Sequence, residues 1–471
     1  MSDNDDTFKL TRRRALGGLA AAGAASAAAG AGTMALFSDT ESSSGNTVQA
    51  GTLDLEVGST ESLDIDVSGK PPGWSGQYSA NVDNAGSVAG GLRVEVNVTG
   101  TSDGATPDSE TNYAQSNELL DEVWIRLGFG GYDVIDTATS LGTAEMLGEL
   151  DALQRLSGGS GTSLDVEVGI DRDATNEVQG DEITFEVSVS LLQGEPITVG
   201  SGTGTDYSTI QAAVDAASAG DSVKLVDSSY SESFTISNDG VGLYGKGATI
   251  DAGNAKPGVG VDANDVTVHG LEVTNADQAV VVNTDATGST PRKSGVTLMD
   301  LTVDSGAGDR AVVVDYSDNV VANDITSSNN GNDGFTFWYT HDSRAENLTA
   351  DNNGDNGIYF NGDNNALLHS QANGNTDEGV DLNWVDLGRS KQRVLVDGVT
   401  ARNNGQDDVE LHDNGSNEGT AADGKLLKNV DTSSSSAPTS LRLVQVSPGE
   451  VETVNCVFPT ILDGTDNDVD P

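Results

Sequence analysis

Two rhythms of apolar residues divide the chain. In LRVEVNV, Val94, Val96 and Val98 alternate with polar residues. SLDVEVGI repeats the pattern at Leu164, Val166 and Val168, and ITFEVSVSLLQ at Ile183, Phe185, Val187 and Val189. A period of two is that of strands with one covered face. Gly, Asn and Asp clusters break these runs, which predicts an antiparallel β-sandwich of the jelly-roll kind over residues 36–195. TSLGTAEMLGELDALQRL is expected to add a short helix.

The second rhythm is a repeat. DYSTIQAAVDAASAGDSVKLV opens it, with Ile210, Ala213, Val214 and Ala217 on one face of a short helix that Gly220 ends. The segments VTVHGLEVTNADQAVVV, VTLMDLTVDSGAGDRAVVV, VVANDITSSNNGNDGFTFW, SRAENLTADNNGDNGIYFN, ALLHSQANGNTDEGVDLN and VLVDGVTARNNGQDDVELH then align with one another. Phe335, Ile358 and Val380 are equivalent and lie 23 and 22 residues apart. A unit of two or three short strands buries its apolar face only by stacking on the next. The leucine ladder of a leucine-rich repeat is missing. The expectation for 198–450 is therefore a right-handed parallel β-helix with an N-terminal cap helix, and for 451–471 a tail.

Stacking brings equivalent residues to about 4.8 Å. Before the turn glycine, the alignment puts Asp277, Asp309, Asn332, Asp355, Asp377 and Gln406 in one column. Gln278, Arg310, Asp333, Asn356, Glu378 and Asp407 form the next. The outward position of the following strand reads Val281, Val313, Thr336, Tyr359, Asp381 and Glu410. Asp355, Asp377, Glu378 and Asp381 thus become neighbours. Like charges at that spacing repel by roughly 3–4 kcal/mol at an effective dielectric near 20. Salt screens them, one takes a proton, or a cation bridges them; solvated turns of an acid-rich chain have the same composition. Oxygen-only ligands suit calcium. Trp338, Tyr339, Tyr359 and Trp384 cluster around the same outward positions as a candidate sugar platform, or as packing under the insertion at 384–393. His341 and His412 stand at that edge.

Charge changes the picture of the partner. The chain holds 74 acidic and 23 basic residues, a formal net charge of −51, distributed along its length. Such a balance excludes a nucleic-acid backbone as partner and suits a salt-adapted protein of a halophile, an archaeon in this reading. Arg12, Arg13 and Arg14 precede an Ala/Gly-rich run to Ala35, which reads as an export signal of the twin-arginine type with no lasting membrane anchor. One cysteine, Cys456, precludes an intrachain disulfide and is expected as a small buried hydrophobe.

Three resemblances follow from these residues. ALFSDTESSSGNTVQAGTLDLEV, NVDNAGSVAGGLRVEV and ATNEVQGDEITFEVSVSLLQ resemble TasA and camelysin proteins, whose signals a dedicated peptidase removes. That resemblance implies a cell-surface jelly roll which, in some members, polymerises by donating a strand. Members have also been called metallopeptidases, but this region has no histidine. The cap and repeats resemble the pectin-lyase-like superfamily. NTDEGVD is similar to the NxDDGxD turn of calcium-dependent pectate lyases, with GDNG one coil earlier supplying Asp355. This resemblance implies calcium on Asp355, Asp377, Glu378 and Asp381, and a lysine in the outward strand position of the next coil as the proton-abstracting group. Glu410 occupies that position, so Arg389, Lys391, Arg393 and Arg402 are the substitutes to consider. Asp381 and Glu410 also form a carboxylate pair of the spacing used by retaining glycosidases.

The reading that results is a secreted surface protein. Its β-helix is expected to bind an acidic polysaccharide or envelope glycan through calcium and through Trp338, Tyr339, Tyr359, Trp384 and His412. Cleavage by calcium-assisted β-elimination would involve Glu410, Arg393 or Arg402. The N-terminal module would attach or self-assemble the protein. The alternative is a structural envelope or biofilm component whose β-helix is a spacer.

Overall fold

A computed structural model describes residues 55–57, 62–102, 119–172, 174, 182–192, 194–286, 290–304, 308–384, 394–413, 425–433, 436–444 and 451–463. The expected export signal, Arg389, Lys391 and Arg393 lie outside these residues, as does the side chain of Trp384.

The alternating segments form two antiparallel sheets. One holds the strands Leu55–Val57, Ser75–Asn84, Ser160–Ile170, Val123–Phe129 and Tyr132–Ser140; the other holds Ser62–Asp66, Glu182–Leu192, Gly90–Ser102 and Leu150–Leu156. Val94, Val96, Val166, Val168, Phe185 and Val187 point into the shared core. The segment expected to be helical is so only over Leu141–Met146, where Ser140 caps the first turn; ELDALQRL pairs instead as the strand Leu150–Leu156. Leu150, Ala152 and Leu156 have a sheet to cover, and that outweighs their helix propensity.

The repeats wind into parallel ladders. Ile210–Ala216 caps the first coil, with the Thr209 side chain accepting from the Ala212 amide. Among the described residues, one parallel sheet counts fourteen strands and the other twelve. In the latter, Val259, Val280, Val312, Phe335, Ile358, Val380, Val409 and Leu441 stack as one inward column. The core is thus a pile of apolar layers, each shared between coils. The segment expected to be a tail continues this pile: Val451–Val454 and Ile461–Asp463 add a strand to each sheet, because Val451, Cys456 and Phe458 still bury against it. Cys456 is buried, and its thiol donates to the Leu427 carbonyl at 3.3 Å.

Inside one turn runs a ladder of buried amides. The Asn353 oxygen accepts from the backbone N–H and side chain of Asn330 (3.1 and 2.9 Å), Asn375 does so from Asn353 (2.9 and 3.0 Å), and Asn404 from Asn375 (2.9 and 3.0 Å). Asp408 ends the series by accepting from Asn404 at 3.0 Å. Each side-chain N–H2 group of the ladder finds an acceptor on the next coil or in its own turn, which fixes the coil register.

The sandwich rests on the outer side of the fourteen-stranded sheet. Met299 and Val321 of that sheet join the sandwich core, and the wholly buried Glu346 accepts from the Ser140 amide and hydroxyl at 2.8 Å each. The outward residues Tyr359, Asp381 and Glu410 belong to the twelve-stranded sheet.

Candidate functional site

The outward column falls where the alignment puts it. Val281 pairs with Val313, Val313 with Thr336, Thr336 with Tyr359, Tyr359 with Asp381, and Asp381 with Glu410. One coil further it reaches Arg442, paired with Glu410. Sequence reasoning missed this residue, because the insertion at 414–424 breaks the repeat before its strand. A second outward column runs beside the first, through Asp315 and Trp338 and then through Asn361, Asn383 and His412.

The acids do gather. The Asp377 amide donates to the Asp355 carbonyl at 3.2 Å, and their carboxyls face each other across the coil step. Asp381 lies within the field of Glu410, Asp333, Asp377 and Asp355. The carboxylates that converge most closely are nevertheless Glu378, Asp407 and Glu410, whose oxygens lie within 4.8 Å of one another. Of the four residues expected to hold a cation, this trio includes Glu378. The alignment already stacks Glu378 over Asp407; Glu410, from the neighbouring column of Asp407's own coil, completes the trio. Arg442 faces the same trio, at 3.3 Å from Asp407 and 3.4 Å from Glu410. His412 stands 3.9 Å from Glu410.

Crowding and burial move protons here. Burial, then Asp377, Asp381 and Glu410, push Glu378 up to about 8. Burial, then Glu410 and the three aspartates, push Asp381 up to about 7, and its Oδ1 is buried without a hydrogen-bond partner. Burial also raises Asp355, Asp333 and, despite Arg442, Glu410. Near neutral pH Glu378 and Asp381 therefore carry less charge than two free carboxylates, chiefly through burial and then through the repulsion of their acidic neighbours, which a divalent cation relieves. The donor set fits a hard cation: oxygens only, several of them converging, with Asp381 adjacent.

The aromatics meet on the same face. Trp338 stacks on Tyr359 with ring centroids 5.5 Å apart, and its edge meets Tyr339 at 5.4 Å. Tyr339 in turn stacks on Tyr316 at 4.9 Å. Tyr316 was not foreseen, since it follows the strand Val312–Asp315 in a turn with no equivalent in the repeat pattern. All four are partly exposed. Arg402 lies elsewhere: it belongs to Thr400–Arg402 of the other sheet and is held by Asp431 and Ser433. The main chain of Trp384 pairs with Asp413.

Against known proteins, the Camelysin metallo-endopeptidase family matches residues 9–110. No curated protein matches the chain. Among solved structures, the A-module of a mannuronan C-5 epimerase from Azotobacter vinelandii is 19% identical, with a TM-score of 0.42 over 55% of this chain and 76% of that one. A periplasmic alginate epimerase is 14% identical, with a TM-score of 0.39 over 52% and 61%. Pectate lyase Pel9A is 13% identical, with a TM-score of 0.34 over 57% and 73%. At these scores the likeness carries no argument about chemistry. Among the described residues no helix is long and apolar enough to cross a membrane.

Proposed function

We propose that the outer face of the twelve-stranded sheet binds an acidic polysaccharide, with calcium shared between the protein's carboxylates and those of the glycan. The observation that carries this reading is a juxtaposition: converging Glu378, Asp407 and Glu410 on the sheet face that also presents Trp338 stacked on Tyr359. Sugar rings offer apolar faces to aromatic rings, and their carboxylates need a cation on so acidic a surface. Glu378, Asp407 and Glu410 would hold the calcium, with Asp381 beside them. When bound, calcium supplies positive charge that neutralises a uronate carboxylate and acidifies the neighbouring C–H. Arg442, tethered to Asp407 and Glu410, offers its remaining N–H donors to a second glycan carboxylate. Asp381, poised near neutrality, can exchange a proton with bound sugar, so β-elimination is the activity to test for. The protein works outside the cell, in concentrated salt, anchored or assembled by its N-terminal module.

Titration calorimetry of the full chain with calcium tests the site. Binding is expected in the native chain and absent in Glu378→Gln/Glu410→Gln. Equal heats from both proteins, or none from either, defeat the proposal. Release of unsaturated uronides from a bound glycan separates an enzyme from a binding module.

A further inference from the structure

A second site lies away from this face, in a cleft between the sandwich and the first coils of the β-helix. Its volume is about 350 Å³. Its floor is an outward column of the fourteen-stranded sheet, in which Lys224 pairs with Tyr244 and Tyr244 with His269. Its roof comes from the sandwich strands Tyr132–Ser140 and Leu150–Leu156.

Both walls are irregular where they face the cleft. On the floor, pairing breaks after Tyr244 and resumes at Ala248 opposite Leu271. Gly245, Lys246 and Gly247 occupy an interval that the next coil spans with Gly270 alone, so the coil carries a two-residue bulge. The bulge turns Lys246 into the left-handed region at φ +50°, a costly conformation for a lysine. On the roof, Leu153 stands at φ +52°, beside an irregularity in the pairing of its own strand. Bulges of this kind re-aim side chains, and paired outliers at one cleft argue for a use.

The bulge brings Lys246 to the cleft beside Lys224. In a chain of 74 acids and 23 bases, Lys224 and Lys246 have no carboxylate within ion-pair distance among the described residues. Lys246 instead holds its ammonium 4.7 Å from the ring of Tyr132, which is 52% exposed at the rim. The Gln154 Oε1 atom is buried without a hydrogen-bond partner. Three carboxylates share the lining: Asp133 is exposed to solvent, and Asp151 already accepts from the Ser222 hydroxyl at 2.7 Å and the Leu153 amide at 2.7 Å. Asp300 faces His269 at 3.9 Å. Two uncommitted ammonium groups, an uncommitted amide oxygen and an aromatic rim match one ligand chemistry. Oxyanion, hydroxyls and a ring face must be present together, in a body larger than a bare inorganic ion.

We infer that this cleft binds a single anionic sugar residue of the uronate class, its carboxylate on Lys224 and Lys246 and a hydroxyl donating to Gln154. The site is independent of the carboxylate face. Saturation-transfer NMR on the full chain tests it, with glucuronate, glucose and inorganic sulfate as probes. Glucuronate is expected to bind and glucose not to. Affinity should fall roughly tenfold or more in Lys224→Met/Lys246→Met, as loss of charge-assisted hydrogen bonds implies. Tyr132→Ala, at an exposed position that leaves the fold intact, should weaken glucuronate as well. Asp381→Asn/Glu410→Gln should leave it unchanged, so that failure of the first site does not count against this one. Glucuronate binding that is absent, or indifferent to both the lysine and the tyrosine changes, overturns the assignment. Sulfate binding as tightly as glucuronate reduces the cleft to an oxyanion site and overturns the sugar.

Discussion

Replacing Asp381 by asparagine removes one charge from the crowded column and keeps the side chain's shape. In the folded protein Asp381 titrates at about 7, against an ordinary 3.8. The sign follows from which state holds the proton. Between those two values the unfolded chain has ionised while the folded chain still binds its proton, so stability falls as pH rises through that window and is level above it. The gap corresponds to about 4 kcal/mol as an upper bound, and to about 2 kcal/mol once solvent reaching this outward position is allowed for. Asp381→Asn should therefore match the native chain near pH 4. It should exceed the native chain by about 2 kcal/mol above pH 7 when a chelator is present. Urea unfolding followed by tryptophan fluorescence at a series of pH values measures the difference. Calcium should narrow it, because a bridging cation relieves the same repulsion in the native chain only. Parallel pH profiles for the two proteins would refute the claim that burial and its stacked acidic neighbours raise Asp381.

Three other outcomes follow from the geometry. Asn375→Ala deletes the middle rung of the amide ladder and strands the donors of Asn353, so urea unfolding should report a loss of about 2–4 kcal/mol. His369 holds Asp171 of the sandwich and Glu346 of the β-helix, each at 3.1 Å, a double pairing that only the imidazolium can make. Burial opposes its charge, but hydrogen bonds to Asp171 and Glu346 outweigh that and hold its pKa well above the ordinary 6.5. The clasp is thus fully made below that value and is lost as pH rises through the raised one. His369→Gln should flatten the alkaline fall in thermal midpoint. Trp338→Ala should weaken glycan binding by about 1–2 kcal/mol, read by calorimetry, with calcium affinity unchanged.

Much of the β-helix was legible in the sequence because stacking converts spacing into contact. Phe335, Ile358 and Val380 fix a register, and that register alone brought Tyr359, Asp381 and Glu410 into one column. Where the repeat is interrupted the logic fails. Arg442 lies beyond an insertion, and Tyr316 sits in a turn outside the repeat. The alignment stacked Glu378 over Asp407, but that Glu410 of the neighbouring column converges on them was not legible from the columns. The short helix Leu141–Met146 gave way to a strand because a sheet stood ready to receive Leu150 and Leu156. The seating of the sandwich on the β-helix, through Ser140, Glu346 and His369, is tertiary and left no local trace.

The most direct test of the account is equilibrium binding of a polyuronate oligosaccharide to the full chain, with calcium and again with excess chelator, beside a neutral glucan of equal length. Calcium-dependent binding of the polyuronate alone, lost in Glu378→Gln/Glu410→Gln, is the result the account predicts. Binding that survives the chelator, or that is equal for the neutral glucan, would contradict it.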